Sequence, residues 1–179
     1  MSIQQCVKDR VTENRLFEIV PLLNAPAKPR SVWASEDVFR QLDQDTADDD
    51  LSAEAGRLRR RLDSIVRGAK IVVGERRDKD CHMKRLDPAG DEVWEIRECE
   101  SPSIRIFFRF IEKDSFVATN VRTVNDLFSR FWKHGLEDYF PVWRQEIRLC
   151  KARWRSLFIS YQPFSGNSLD DYLSNAAKR

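Results

Sequence analysis

Three successive β-strand patterns between Val93 and Arg122 constrain the fold more than any other feature of the chain. The segments read Val-Trp-Glu-Ile-Arg-Glu-Cys, Ser-Ile-Arg-Ile-Phe-Phe-Arg-Phe and Phe-Val-Ala-Thr-Asn-Val-Arg. In the central segment, a period of two places Arg105, Phe107 and Arg109 on one side. The other side is apolar and carries Ile104, Ile106, Phe108 and Phe110. We therefore expect one sheet face against the core and one basic, exposed face for a phosphate-bearing or acidic partner.

The turns between these segments predict antiparallel pairing. Residues 100–103 and 112–114 are too few to hold the crossover helix that parallel neighbours need. Because helical patterns lie on either side of the three strands, we predict an α+β fold with a twisted antiparallel sheet.

Two amphipathic helices are predicted, one before and one after the strands. The first has apolar residues at steps of three and four from Leu51 to Ala69. The second runs from Pro141 to Phe158 and combines a buried stripe with a basic stripe of Arg144, Arg148, Lys151 and Arg155. A solvated helix face and a contact with RNA or protein both account for such a basic stripe.

Three prolines mark the start of the main domain. Pro21, Pro26 and Pro29 bracket a segment that no helix crosses undisturbed. We predict an N-terminal extension over residues 1–30, a domain over residues 31–160 and a C-terminal tail over residues 161–179.

Composition and charge narrow the functional classes. The 179 residues are 41% hydrophobic and 34% charged, which is ordinary for a globular protein with one core. No apolar run approaches the twenty residues of a membrane span, and no apolar signal core opens the chain, so we expect no membrane partner and a cytoplasmic location. Residues 1–56 hold 6 Lys/Arg and 11 Asp/Glu, whereas residues 57–179 hold 25 and 18. The second part is therefore the expected anion binder.

The four cysteines do not predict a metal site. Cys6, Cys81, Cys99 and Cys150 lack paired spacing, and Cys81-His82 is not followed by a second ligand pair. We expect reduced thiols, some of them in the core, and no metal or other cofactor.

The order of these elements and several short motifs resemble the RelE/HigB superfamily of small toxins. The similarity covers residues 31–160. It rests on the opening Ser-Val-Trp-Ala-Ser at residues 31–35, on Lys-Arg-Leu at residues 84–86 before a turn, and on Trp-Glu-Ile-Arg at residues 94–97. It also includes Ile-Arg-Ile-Phe-Phe at residues 104–108 and the helix from Pro141 to Phe158.

The resemblance implies a fold with helices packed on one face of the sheet and a metal-independent, ribosome-dependent mRNA endonuclease. Its implied partners are the ribosome, mRNA and a cognate antitoxin protein. In such chemistry a 2′-hydroxyl attacks the adjacent phosphorus, which requires a base, an acid and cations for the developing charge.

Candidate site residues follow from the matched positions and from the charge pattern. Arg97 and Arg105 match the arginines of the two strand motifs, Arg122 lies where the family often has a basic residue, and Lys84 matches a lysine before the turn. His82 is the candidate for proton transfer because imidazole titrates near neutral pH. The predicted catalytic set is therefore Arg97, Arg105, Arg122 and His82. The predicted RNA-binding set is Lys84, Arg85, Arg109, Arg144, Arg148, Lys151 and Arg155.

Departures from the family pattern keep a second hypothesis open. The segment Asn-Val-Arg-Thr-Val-Asn-Asp at residues 120–126 has no lysine where the family has a lysine-rich motif, so the base and the acid stay unassigned. The alternative is a non-catalytic protein-interaction module of the same fold, as in related gyrase inhibitors or a regulatory protein. Arg97 likewise has two interpretations, as part of a binding face or as a structural bridge to Glu95 or Glu112. A third possibility, a general nucleic-acid-binding protein, would rest on the basic face alone.

Overall fold

An eight-stranded β-sheet organises the chain in a computed structural model that describes residues 2–22, 29–42, 49–74, 81–86, 88–99, 103–124 and 139–178. The strands are β1 (Leu16–Glu18), β2 (Ser31–Ser35), β3 (Ile71–Gly74), β4 (Met83–Arg85), β5 (Trp94–Glu98), β6 (Ile104–Glu112), β7 (Ser115–Thr123) and β8 (Ala176–Lys178). The helices are α1 (Ile3–Thr12), α2 (Glu36–Leu42), α3 (Asp49–Val66), α4 (Tyr139–Leu157) and α5 (Leu169–Tyr172), and a short 3₁₀ turn spans Ala89–Asp91. The fold class is α+β, as the sequence predicts.

The strand order is β1-β2-β7-β6-β5-β4-β3-β8, and the sheet is mixed. The expected antiparallel pairing holds for β4 through β7. The prediction of a wholly antiparallel sheet was wrong, because β2 pairs with β7 in parallel and β3 pairs in parallel with both β4 and β8. Short connections in the sequence predict pairing only between neighbouring strands. They do not predict the pairing of β2 with β7 or of β3 with β8, because these strands are distant in sequence.

A tight hairpin turn connects β6 and β7. Only Lys113 and Asp114 lie between them, and Asp114 has a φ of 58°. Two-residue hairpin turns need residues that tolerate a positive φ, and Asp is one of the few side chains that do so readily. The tight turn therefore sets the register of Glu112 opposite Ser115.

Helices cover both faces of the sheet, which corrects the expectation of helices on one face. On one side α2 and α3 contribute Val38, Leu58, Leu62, Ile65 and Val66 to a core that includes the apolar side of β6. On the other side α1 and α4 pack their own apolar residues against Leu16, Phe107, Ile111 and Val117. The alternation predicted for β6 is therefore present, but the predicted exposed face is buried.

The terminal segments take part in the sheet and the core. β1 pairs with β2 at one edge, and β8 pairs with β3 at the other. Cys6 and Val7 of α1 are buried against α4, and Tyr172 and Leu173 of the tail lie in the main core. The sequence also predicts a short helix from Leu127, Phe128, Phe131 and Trp132, and these residues lie outside the described part of the chain.

Candidate nucleic-acid interface

Arg97, Arg105 and Arg122 form one row across β5, β6 and β7. Arg105 lies directly opposite Arg97 on one neighbour and opposite Arg122 on the other. Directly opposite residues of a sheet share a face, so the three side chains leave from the same side, the side that α4 covers further along. The structure thus brings together three of the four predicted catalytic residues.

Arg105 is a structural residue rather than an exposed cation. It is only 7% exposed, and its Nη1 donates to the carbonyl oxygens of Glu98 at 3.0 Å and of Ile104 at 2.8 Å. A buried guanidinium bound to backbone carbonyls holds the chain in place and offers little surface to RNA. The expectation that Arg105 lies on an exposed face is therefore wrong.

Arg97 forms the structural bridge that was one of its two interpretations. Its Nε lies 3.5 Å from Oε1 of Glu95, and its Nη1 lies 3.4 Å from Sγ of Cys81. Burial alone would lower the pKa of Arg97, but the contacts with Cys81 and Glu95 outweigh it and raise the pKa above its ordinary value. Glu95 in turn accepts a hydrogen bond from the indole of Trp143 on α4.

Arg122 is the member of the row that is most accessible to solvent. Its side chain is 30% exposed, and its Nε donates to Oε1 of Glu146 at 3.0 Å. Asn120 donates to the second oxygen of Glu146 at 2.8 Å. This carboxylate is 4% exposed, so it fixes the direction of the guanidinium from below.

A β-bulge makes this arrangement possible. Phe107 pairs with Asn120 and Phe108 pairs with Ala118, so Thr119 is an extra residue in β7. Bulges re-aim the side chains next to them. Here Asn120 reaches Glu146 on α4, and the Thr119 hydroxyl donates to the carbonyl oxygen of Phe107 at 3.2 Å.

His82 lies away from Arg122. It precedes β4, which is three strand positions from β7, or roughly 14 Å at normal strand spacing. Its Nδ1 accepts a hydrogen bond from the amide of Val72 at 3.2 Å. Burial and the charge of Arg61 lower the pKa of His82 below its ordinary value. The structure therefore does not unite the predicted proton-transfer residue with the accessible arginine.

Three of the predicted RNA-binding residues secure the turn at residues 91–92 instead. Arg109 is 6% exposed and donates to the carbonyl oxygen of Asp91 at 2.6 Å. Arg85 pairs with the carboxylate of Glu92, and Lys151 pairs with that of Asp91. Glu92 is buried and has a φ of 51°, so these contacts support an unusual backbone conformation. The fourth residue, Lys84, is half-buried on β4 opposite Glu95.

The outward face of α4 carries the remaining three predicted RNA-binding residues, Arg144, Arg148 and Arg155. Over residues 142–157, where the side chains of α4 are described, the exposed residues are Arg144, Gln145, Arg148, Ala152, Arg155 and Ser156. The single acidic residue of α4 is Glu146, which is buried. At 100° and 1.5 Å per residue, Arg144, Arg148 and Arg155 fall within about 40° of arc and span about 16 Å. We call these three residues the α4 ridge.

A second cationic feature was not predicted from the sequence. A cavity of about 240 Å³ is lined by Asp37, Arg40, Gln41, Val121, Arg122 and Arg153. It forms where β2 stops pairing at Ala34 while β7 continues to Thr123 beside α2. We call Arg40, Arg122 and Arg153 of this cavity the arginine cleft.

The helical position of Arg153 is the sequence signal that could have indicated the cleft. Arg153 lies half a turn away from Arg144 on α4, so it occupies the inner side of the helix, where an arginine needs a partner. It donates to the carbonyl oxygen of Thr119 at 2.6 Å and pairs with Asp37 of α2. The meeting of α2, β7 and α4 depends on tertiary structure and has no sequence signature.

Comparisons with family models, with curated proteins and with solved structures gave no match to this chain. Within the described residues, no helix is long and apolar enough to cross a membrane. The same part of the chain contains no group of three or more His, Cys, Asp or Glu side chains arranged to hold a metal ion. The four cysteines form no disulfide, and all but Cys99 are buried.

Proposed function

We propose that this protein binds RNA through the α4 ridge and acts as a toxin-like, metal-independent, ribosome-dependent mRNA endonuclease. The observation that carries the proposal is the ridge itself, with three exposed arginines along about 16 Å of helix and no acidic residue among the exposed residues that the structure describes on α4. Cations spaced in this way can neutralise successive phosphates and release their counterions.

The ridge is hard to explain as a stabilising feature. Arg144 and Arg148 are four residues apart on the same face, and a like-charge pair at this spacing costs about 0.2–0.5 kcal/mol. No ion pair with a described acidic residue offsets this cost for Arg144, Arg148 or Arg155. A phosphate backbone would remove the repulsion and give the arrangement a use.

Cleavage is the part of the proposal that rests on the resemblance to the RelE/HigB superfamily. Among the four predicted catalytic residues, Arg122 is the best placed to contact a phosphate, since its fork can stabilise charge on a pentacoordinate phosphorus. The ribosome, mRNA and a cognate antitoxin would be the partners, and the cytoplasm the location. The eight-stranded sheet is larger than that family's usual sheet.

The alternative is a non-catalytic protein-interaction module of the same fold. Two observations favour it. His82 is roughly three strand spacings from Arg122, and both oxygens of Glu146 already accept hydrogen bonds. Neither group is thus set up as a general base near the accessible arginine.

Induced expression in a bacterial host separates these possibilities. Three proteins would be compared: the parent, a ridge variant with Arg144, Arg148 and Arg155 changed to Gln, and a control variant with Lys8, Arg60 and Lys113 changed to Gln. The control loses the same three charges from exposed positions elsewhere. Circular dichroism would verify folding of each.

The proposal expects growth arrest and newly cleaved transcripts with the parent and the control variant, and normal growth with the ridge variant. Arrest without transcript cleavage would favour the interaction module. Cleavage that the ridge variant retains in full would contradict the assignment of the ridge to RNA binding.

A further inference from the structure

We infer that the arginine cleft is a binding site for a single phosphate group. Its three guanidinium groups come from three different elements, with Arg40 on α2, Arg122 on β7 and Arg153 on α4. The cavity of about 240 Å³ is smaller than the usual site for a whole drug-sized ligand, which measures roughly 300–1,000 Å³. It is open to solvent and has room for a phosphate with a short attachment. The cleft is separate from the α4 ridge, but it shares Arg122 with the proposed cleavage, and to that extent this inference rests on the proposed function.

Two of the three arginines are held in place before any ligand binds. Arg122 is fixed by Glu146 and by the carbonyl oxygen of Val121, which accepts from Nη1 at 2.9 Å. Arg153 is fixed by the carbonyl oxygen of Thr119 at 2.6 Å. Because a guanidinium has five N–H donors, each of these anchors leaves further donors of the fork for an oxyanion.

The carboxylates beside the cleft are exchangeable. Arg40 pairs with Glu36, and their side chains are 73% and 50% exposed. Asp37, the partner of Arg153, is 59% exposed. Exposed ion pairs contribute little stability, so a dianionic phosphate that contacts several guanidinium groups at once can replace these single carboxylates. Only Glu146 is buried, and it stays beneath Arg122 as the anchor.

The chemistry of the lining selects phosphate rather than a base or an apolar group. Among the described residues that line the cleft, Val121 is the single apolar one and none carries an aromatic ring on which a base could stack. The phosphate could belong to a nucleic-acid backbone or to a phosphomonoester, since both present the same oxyanion. The site therefore recognises the phosphate group itself, and titration with a monoester and a diester identifies what the phosphate is attached to.

Calorimetric titration of the full chain with inorganic phosphate, at constant ionic strength set with chloride, tests this inference. We expect saturable binding at one site. Arg40→Gln should weaken it roughly tenfold through loss of one charge-assisted contact, without disturbing the anchored pair. Asp37→Asn should strengthen it severalfold, because a competing carboxylate is removed. The control variant with Gln at positions 8, 60 and 113 should bind phosphate like the parent.

Two further titrations identify the source of the phosphate. Methyl phosphate represents a phosphomonoester, and dimethyl phosphate represents the diester of a nucleic-acid backbone. The anion that binds more tightly identifies the class of phosphate that the cleft accepts. Absence of saturable binding for all three anions would overturn the inference. Equal phosphate affinity for the parent, Arg40→Gln and Asp37→Asn would overturn it as well, because the binding would then lie elsewhere. A ribonuclease that fails to bind phosphate here, or a phosphate binder without ribonuclease activity, would separate this inference from the proposed function.

Discussion

Replacing Arg109 with Met should destabilise the protein, whereas the same change at Arg155 should not. The sequence predicts a contact with RNA for both arginines. In the structure Arg109 is 6% exposed, and it donates to the carbonyl oxygens of Asp91 at 2.6 Å and Glu92 at 3.4 Å. Its guanidinium carbon also lies 5.3 Å from the ring centre of Trp154. Arg155 is exposed on α4.

The size of the effect follows from these contacts. A hydrogen bond from a charged donor contributes about 1.5–3 kcal/mol, and a partly buried cation–π contact adds about 0.5–2 kcal/mol. The second hydrogen bond is long and adds little. Met keeps most of the aliphatic stem, so we expect a loss of about 3 kcal/mol in the free energy of unfolding for Arg109→Met. For a chain of this size that lowers the melting temperature by roughly 6–12 °C.

Urea unfolding followed by circular dichroism measures both variants against the parent. We expect a lower urea midpoint with an unchanged denaturant slope for Arg109→Met. For Arg155→Met we expect the free energy of unfolding to change by no more than about 0.5 kcal/mol. Similar small effects at both positions would refute the structural role of Arg109. RNA affinity measured on the same proteins should show the reverse order, with the larger loss for Arg155→Met.

Three further predictions concern the tail and the thiols. Tyr172→Phe should lower the free energy of unfolding by about 2 kcal/mol in urea titrations, because the hydroxyl donates to the buried carboxylate of Glu92 at 2.8 Å; a change below about 0.5 kcal/mol would contradict this role. The amides of Ser168 and Asn167 donate to Asp171 and lower its pKa, so this carboxylate stabilises the fold above its ordinary pKa near 4 and the contribution is lost as the pH falls through the lowered value. Asp171→Asn should therefore flatten the acid limb of stability between about pH 5 and pH 2, and an unchanged limb would exclude the effect. Among the four cysteines, exposed Cys99 alone should react with a thiol reagent at pH 8, since burial raises the pKa of Cys150 to about 11 and the other two are buried; rapid reaction of more than one thiol in the native protein would disagree.

Local patterns predicted the elements that pair or pack through neighbouring residues. The alternation around Phe108 identified β6, and the short turns identified its antiparallel neighbours. The apolar steps of α3 and α4 likewise predicted helices close to their observed bounds. The helix α1 was not predicted, because it has no continuous apolar stripe: Cys6 and Val7 alone are buried, and its other eight residues are exposed or only partly buried. Its position depends on packing against α4, which no local pattern specifies.

The candidate site was less predictable because arginines that alternate with apolar residues occur on exposed strand faces and on buried ones. An arginine that alternates with apolar residues is typical of an exposed strand face, yet Arg105 and Arg109 are both buried against backbone carbonyls, and Arg109 also lies against Trp154 of α4. Only tertiary contacts distinguish them from Arg122, whose side chain is 30% exposed at the end of the row. On α4 the helical period did separate exposed from inner residues, except that Lys151 is paired with Asp91 across the fold. Arg40 of the cleft belongs to a seven-residue helix with too few residues for a periodic pattern.

The salt dependence of RNA affinity, measured by fluorescence anisotropy with a short labelled single-stranded RNA, tests the central proposal most directly. Each phosphate neutralised on a single strand contributes about 0.7 to the slope of log K against log salt. If the three arginines of the α4 ridge each contact a phosphate, the parent's slope should exceed that of the ridge variant by about 2. The control variant with Gln at positions 8, 60 and 113 should keep the parent's slope. Equal slopes for the parent and the ridge variant, or an equal reduction in both variants, would contradict RNA recognition by this face of the protein.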